Sequence, residues 1–282
     1  MAAVDLRRFV AKLEDLPTLP RTVLRITELI NDPRASAKDL ARIITDDQVL
    51  TARLLKLVNS SFYGFRRRIA TVTEAILLVG FDAIRNLLLT TSVFDLFPPR
   101  TARLGRSQEM FWDHSLGCAV GAKIIGAALR CEKLEELFVA GLLHDIGKIV
   151  ELAMFPAEFE QIAAAVSERR LLITHAEMEI LGCTHAEVGQ LLAERWNLPA
   201  KLTNVIARHH MPVNDGRFSI ETAIVHAADI FARGLDLGSG GDDRVPPLDH
   251  GAWKLLGLSA ANLDTLMASI LTDFEDISSF LR

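Results

Sequence analysis

Apolar residues recur at three- and four-residue spacing along almost the whole chain, and the strict alternation of a half-buried strand is hard to find. The pattern predicts an all-α protein. Leu6, Phe9, Val10 and Leu13 mark a first helix, closed by Leu16-Pro17-Thr18-Leu19-Pro20; Val23, Ile26 and Ile30 mark a second. Ser36-Ala37-Lys38-Asp39 has the spacing of a capping box and opens a third. Gln48–Val58 follows the acidic turn Asp46-Asp47, and the periodicity then breaks over Asn59–Gly64. Helices over Thr73–Gly80 and Phe81–Leu96 lead to a stop at Pro98-Pro99.

Beyond that stop the helices lengthen. The spacing predicts helices over 107–129, 134–154, 158–168, 174–181, 184–196 and 200–210, and one from Ser219, as its cap, to Arg233. Gly234–Pro247 is rich in Gly and Pro and reads as a loop, and Ser259–Leu281 supplies a closing helix or two. The expected organisation is an N-terminal helical lobe over residues 1–100 packed on a second lobe over 101–282, with a soft boundary inside one continuous unit.

Composition narrows the function classes. Of 282 residues, half are hydrophobic and 24% charged, with a net charge of -5, which argues against a general polyanion-binding surface. The Ser36–Val58 helix pair has the outline of a helix-turn-helix, but Asp46-Asp47 would repel phosphates, so DNA binding is not expected. Arg66-Arg67-Arg68 reads as a solvated loop. Cys118, Cys131 and Cys183 form no CxxC and fit small buried side chains in a reducing compartment. Met1–Val10 carries Asp5, Arg7 and Arg8 rather than a signal peptide, and no apolar run reaches membrane-spanning length. The expectation is a soluble cytoplasmic protein with no membrane partner.

The chemistry gathers in the second lobe. His144-Asp145 interrupts the apolar run Gly141–Lys148, and a buried imidazole–carboxylate doublet needs partners. Thr184-His185-Ala186-Glu187 has capping-box spacing, which sets His185 at the start of its helix. Asn197-Leu198-Pro199 turns the chain into a helix of similar length that ends at His209-His210. Two such antiparallel helices bring His185 beside His209 and His210. His144 and Asp145, neighbours on a helix about 100° apart, can face one ion, and the two oxygens of Asp145 can bridge two. In a simple hairpin His114 lies some six residues out of register with His144, so its convergence is not forced. Asp229, among Ala227, Ala228, Ile230 and Phe231, wants a counter-charge that a metal, an Arg or a Lys would each provide. The candidate ligands are thus His114, His144, Asp145, His185, His209, His210 and Asp229. Mixed imidazole and carboxylate donors suit divalent iron or manganese, with zinc as the alternative, better than calcium. Lys148, one turn after His144, either stabilises a bound phosphate or pairs with Asp145.

These residues resemble the HDOD signalling proteins, a divergent branch of the HD-domain superfamily that also contains the HD-GYP cyclic di-GMP phosphodiesterases. The resemblance is carried by Leu16–Pro20, Asp46–Leu55, Val58–Gly64, Thr73–Gly80, Gly141–Lys148 and His185–Gly189, and covers nearly the whole chain. It implies an all-helical fold and a regulatory role in bacterial signalling, in a family many of whose members have lost the hydrolytic ligands. This chain departs from that pattern in keeping a candidate at every position of the HD-type ligand set. It departs from the HD-GYP enzymes in carrying Met211-Pro212-Val213-Asn214-Asp215-Gly216 where a Gly-Tyr-Pro loop is expected.

Two expectations follow. The first is an interaction module for other signalling proteins that retains a dinuclear metal site. The second is a metal-dependent phosphohydrolase acting on a nucleotide or phosphate ligand, in which Asp145 and Lys148 are catalytic.

Overall fold

The computed structural model describes residues 36–59, 63–65, 67–81, 102–212 and 219–281, with positions 25, 29, 34 and 84. The expected helices over Leu6–Leu13, Val23–Ile30 and most of Phe81–Leu96, the stop at Pro98-Pro99, and residues 213–216 after Met211-Pro212 lie outside them. Among the described residues every regular element is a helix. The chain is all-α.

Three short helices form the N-terminal part: α1 (Ala37–Thr45), α2 (Gln48–Val58) and α3 (Val72–Val79). The Ser36 side chain accepts from Asp39 N–H and the Asp39 carboxylate accepts from Ser36 N–H, so the capping box forms as the spacing predicts. Thr71 caps α3 in the same way through Glu74 N–H. Leu40, Ile44, Leu54, Val58, Ile69, Val72, Ala75, Ile76 and Ile84 close a core of their own. Asn59 fastens the return of the chain, accepting from Ile69 N–H and donating to Ile69 O.

The rest of the described chain builds a second, larger core around α4 (Ala102–Ala128). α5 (Leu134–Leu143), α11 (Ser219–Gly234) and α13 (Ala260–Leu281) pack against α4. Small residues allow the close approach: a methyl group on Gly141 of α5 would come within 2.7 Å of the Ala119 backbone. α6 (Ile146–Met154) turns away from α5, followed by α7 (Pro156–Arg169) and α8 (Ile173–Ile180). α9 (His185–Arg195) and α10 (Ala200–Arg208) form an antiparallel hairpin, and α12 (His250–Leu256) precedes α13. Tyr63 joins the two cores, donating to Glu135 on α5 beneath the ammonium of Lys123 on α4.

One expectation needs correction. The single helix over 134–154 is two, α5 and α6, separated at His144-Asp145, where Asp145 adopts φ -99, ψ 15. The doublet therefore sits in a kink and not along one helical face. The apolar run continues on both sides of the kink, so hydrophobic spacing does not register it. The loop after α11 forms as expected, and it is held against α4. Ser239 N–H donates to Met110 O, and Gly238, at φ +69, lies so close to α4 that a methyl group there would be 2.4 Å from His114 N. Among the described residues no single helix is long and apolar enough to cross a membrane.

Candidate metal centre

The kink at His144-Asp145 exists because two backbones touch. A methyl group on Gly147, at the start of α6, would lie 1.9 Å from His185 O. One on Gly189 would lie 2.7 Å from Ile206 and 3.4 Å from Gly147 N. Glycine at both positions lets α6 cross the first turn of α9 at backbone contact, which delivers the Asp145 carboxylate to His185. The capping box of Thr184 and Glu187 fixes that first turn. The α9–α10 hairpin then places His209 and His210, just past the end of α10, against His185 as the equal helix lengths predict: His209 Nε2 is 3.4 Å and His210 Nε2 2.9 Å from His185 Nε2.

All seven candidate ligands meet around Asp145, in two groups. Asp145 Oδ1 faces His185 Nε2 at 3.1 Å and His209 Nε2 at 3.4 Å, with His210 alongside. Asp145 Oδ2 faces His144 Nε2 at 3.3 Å and His114 Nε2 at 3.6 Å, and Asp229 Oδ1 lies 3.0 Å from the same His114 atom. The kink removes the register mismatch of a straight hairpin and sets the His114 and His144 rings 5.4 Å apart. Asp229 has both kinds of partner that its setting asks for, His114 and the guanidinium of Arg233, whose Nε lies 2.9 Å away.

Whether these residues fit a divalent ion is decided by tautomers and spacing. His144 Nδ1 is 2.6 Å from Gly141 O, His209 Nδ1 is 2.9 Å from Ile206 O, and His185 Nδ1 is 2.8 Å from both Glu177 oxygens. Each Nδ1 carries a proton, so an ion would be held by the three Nε2 atoms, which point inward at one another and at a carboxylate. Several inward atoms have no partner in the protein: His114 Nδ1 and Nε2, His144 Nε2, Asp145 Oδ1 and Asp229 Oδ2 are buried without a hydrogen bond. With metal–donor bonds of about 2.0–2.1 Å, neighbouring donors lie about 2.9 Å apart in an octahedron and about 3.4 Å apart in a tetrahedron. The observed separations of 2.9–3.6 Å are those of such edges. The residues fit.

Without an ion, three of the imidazoles favour the neutral form and two favour an added proton that an ion would have to displace. Burial pushes His114 and His210 down, and His209 down to about 4, so all three are neutral donors at neutral pH. Burial would raise both carboxyls, but His144 and Lys148 hold Asp145 well below its ordinary value, and Arg233 does the same for Asp229. Burial also opposes charge on His144 and His185, but Asp145 carries the first well above its usual value and Glu177 raises the second.

The structure also answers the question posed by Lys148. Its side chain is buried, its Nζ donates to Asp145 Oδ2, and it lies near Glu177 and Glu151. It acts as a counter-ion behind the carboxylate. Three residues absent from the sequence reading support the ligands. Glu177 on α8 accepts from both Nδ1–H and the backbone N–H of His185. Glu151 on α6 sits beside Glu177, and burial together with that neighbour keeps its carboxyl protonated far above the usual range. His226 on α11 donates from Nδ1 to His209 O and accepts from Asp249 N–H at Nε2. The sequence holds a trace of one of them: Glu151 follows His144 by seven residues and Lys148 by three, on the helical face of the motif.

Comparison with known proteins agrees with the fold. The model of the HDOD domain matches residues 16–212, and the chain belongs to the HDOD domain family. An uncharacterized protein of Treponema pallidum (strain Nichols) is 28% identical over 227 residues, which are 80% of this chain and 44% of that protein. The chain thus spans less than half the length of that relative. A crystal structure of an HDOD domain protein from Geobacter sulfurreducens superposes with a TM-score of 0.81 at 29% identity, over 97% of this chain and 96% of the other. A protein from Shewanella amazonensis SB2B, provisionally named a phosphohydrolase, has the same fold, with a TM-score of 0.76 at 23% identity over 97% of each chain.

Proposed function

We propose that this chain is a regulatory HDOD module whose larger core is organised around a closed two-ion centre. His185, His209 and His210 serve one ion, His114, His144 and Asp229 the other, and Asp145 bridges them. The observation that carries the reading is the convergence of seven potential donors, four of which, His114, His144, Asp145 and Asp229, hold a buried inward atom without a hydrogen-bond partner. Three imidazoles and a carboxylate oxygen around one ion, and two imidazoles and two carboxylate oxygens around the other, suit iron or manganese, with zinc as the alternative.

Burial favours regulation over turnover. Structural metal sites are closed by protein ligands, whereas catalytic ones keep a position open to solvent. Here six of the seven ligands are buried, and only the His210 side chain, 21% exposed, reaches the surface. The helices of the smaller core bring no group of metal-ligating side chains together among the described residues, which fits a lobe that presents a surface to other signalling proteins.

The partly exposed His210 keeps a second reading in play, that of a phosphohydrolase reached at this edge. A divalent pair would supply Lewis-acid activation of a phosphate ester and of water. In that reading Asp145 positions the pair, and Lys148 keeps Asp145 ionised.

Metal analysis of protein purified without chelator tests the proposal. About two ions per chain are expected, both lost in Asp145→Ala, with no turnover of cyclic dinucleotides or of bis(p-nitrophenyl) phosphate. Fewer than about 0.1 ion per chain after reconstitution refutes the metal centre. Turnover that Asp145→Ala abolishes replaces the regulatory reading with the enzymatic one.

A further inference from the structure

We infer that Arg233 and Asp242 are positioning residues that set the second half of the centre, and that the loop after α11 is the wall of that half. Arg233 lies one turn after Asp229 on α11, with its side chain only 4% exposed. Its Nε donates to Asp229 Oδ1 at 2.9 Å, its Nη1 to both Asp242 oxygens and to Arg244 O at 3.3 Å, and its Nη2 to Gly240 O at 3.3 Å. One planar fork thus ties a proposed ligand to three points of the loop, a geometry that suits Arg and not Lys.

Asp242 carries the connection onward. Its Oδ2 accepts from Ile173 N–H, the first residue of α8, at 2.9 Å, and its Oδ1 from Arg244 N–H at 2.9 Å. α8 holds Glu177, which holds His185. Asp229 in one half and His185 in the other are therefore joined from behind by Arg233, Asp242 and α8.

The loop is shaped to this task. A methyl group on Gly240 would stand 2.3 Å from the Arg233 guanidinium carbon, so any larger residue there would push the guanidinium out of this position. Gly238 presses the same loop on the α4 backbone at His114, the other ligand that faces Asp229. Two of the three residues of this half, His114 and Asp229, are thus backed by one loop. His144, held by Gly141 O, is not.

Asp242→Asn is the test. It keeps the shape and an acceptor for Ile173 N–H but takes one negative charge from Arg233, whose guanidinium then pairs more tightly with Asp229 and competes with the ion there. The inference rests on the two-ion reading and predicts an asymmetric result. Titration of the metal-free full chain with Mn(II) gives two binding events in the unsubstituted protein. In Asp242→Asn one weakens by about 10- to 100-fold, as for other outer-shell changes, while the other is unchanged. Hydrogen exchange at the amides of residues 238–244 accelerates in the same variant with or without metal. Should Asp242→Asn not fold, Arg233→Lys keeps the charge without the fork and is expected to give the same selective loss. Two unchanged events, or equal weakening of both, overturn the positioning role and leave the metal reading standing. No binding in the unsubstituted protein overturns both.

Discussion

Asp145 lies at the meeting point of the candidate ligands. Its two oxygens are shared between two groups of imidazoles, it is ionised although buried, and Lys148 neutralises it from behind. Glu177 does the corresponding work for His185: both oxygens lie 2.8 Å from Nδ1, which fixes the tautomer and makes Nε2 a better donor. Replacing it tests that role with almost no change of shape. Glu177→Gln keeps one acceptor and removes the charge, so affinity for Mn(II) is expected to fall by about 10- to 100-fold, read by competition with a chromophoric chelator. An unchanged affinity would show that Glu177 is only a buried acid. Its role was not legible beforehand. In Thr174-His175-Ala176-Glu177-Met178-Glu179, one of two acids spaced two apart must face inward, and only tertiary packing decides which.

Elements meet here through glycines. At Gly147 the atom a methyl group would strike is the His185 carbonyl oxygen, which belongs to helical backbone and cannot swing aside. Gly147→Ala should therefore separate α6 from α9, with a loss of at least about 1–3 kcal/mol in urea unfolding and loss of metal binding. Gly234→Ala is the control. Its methyl would meet only the tip of Met267 at 3.7 Å, and its effect should stay within about 0.5 kcal/mol. Equal stability of the two variants would refute the backbone-contact account. The same contrast explains what could be read in advance. Capping boxes at Ser36 and Thr184 act within four residues, and the α9–α10 hairpin follows from two equal lengths and one turn, so both were legible. The kink at His144-Asp145 depends on what α6 crosses. A continuous apolar run gives no sign of that.

At the scale of the molecule, the donors sit in one of two cores. The larger core surrounds the candidate centre, while the smaller one, built on Leu40, Ile44, Leu54, Val58 and Ile76, contains none of the seven candidate ligands among the described residues. Without ions, the larger core buries several inward-facing atoms that have no partner, on His114 of α4, on His144 and Asp145 at the α5–α6 kink and on Asp229 of α11. Binding to the folded state alone stabilises it by about 2.7 kcal/mol when free metal is 100 times Kd. For a unit of this size each kcal/mol moves Tm by about 2–4 °C, so chelation should lower Tm by roughly 5–11 °C. The loss should also be local. Hydrogen exchange after chelation is expected to quicken at amides of α5, α6, α9 and α10 and to leave α1–α3 unchanged, because the smaller core meets the larger through Tyr63, Leu57 and the α2–α13 contact and not through any ligand. Uniform acceleration across both cores would mean that the lobes open as one cooperative unit. In that case loss of metal would be felt directly at the N-terminal surface, which would give a regulatory module a physical route from the centre to a partner.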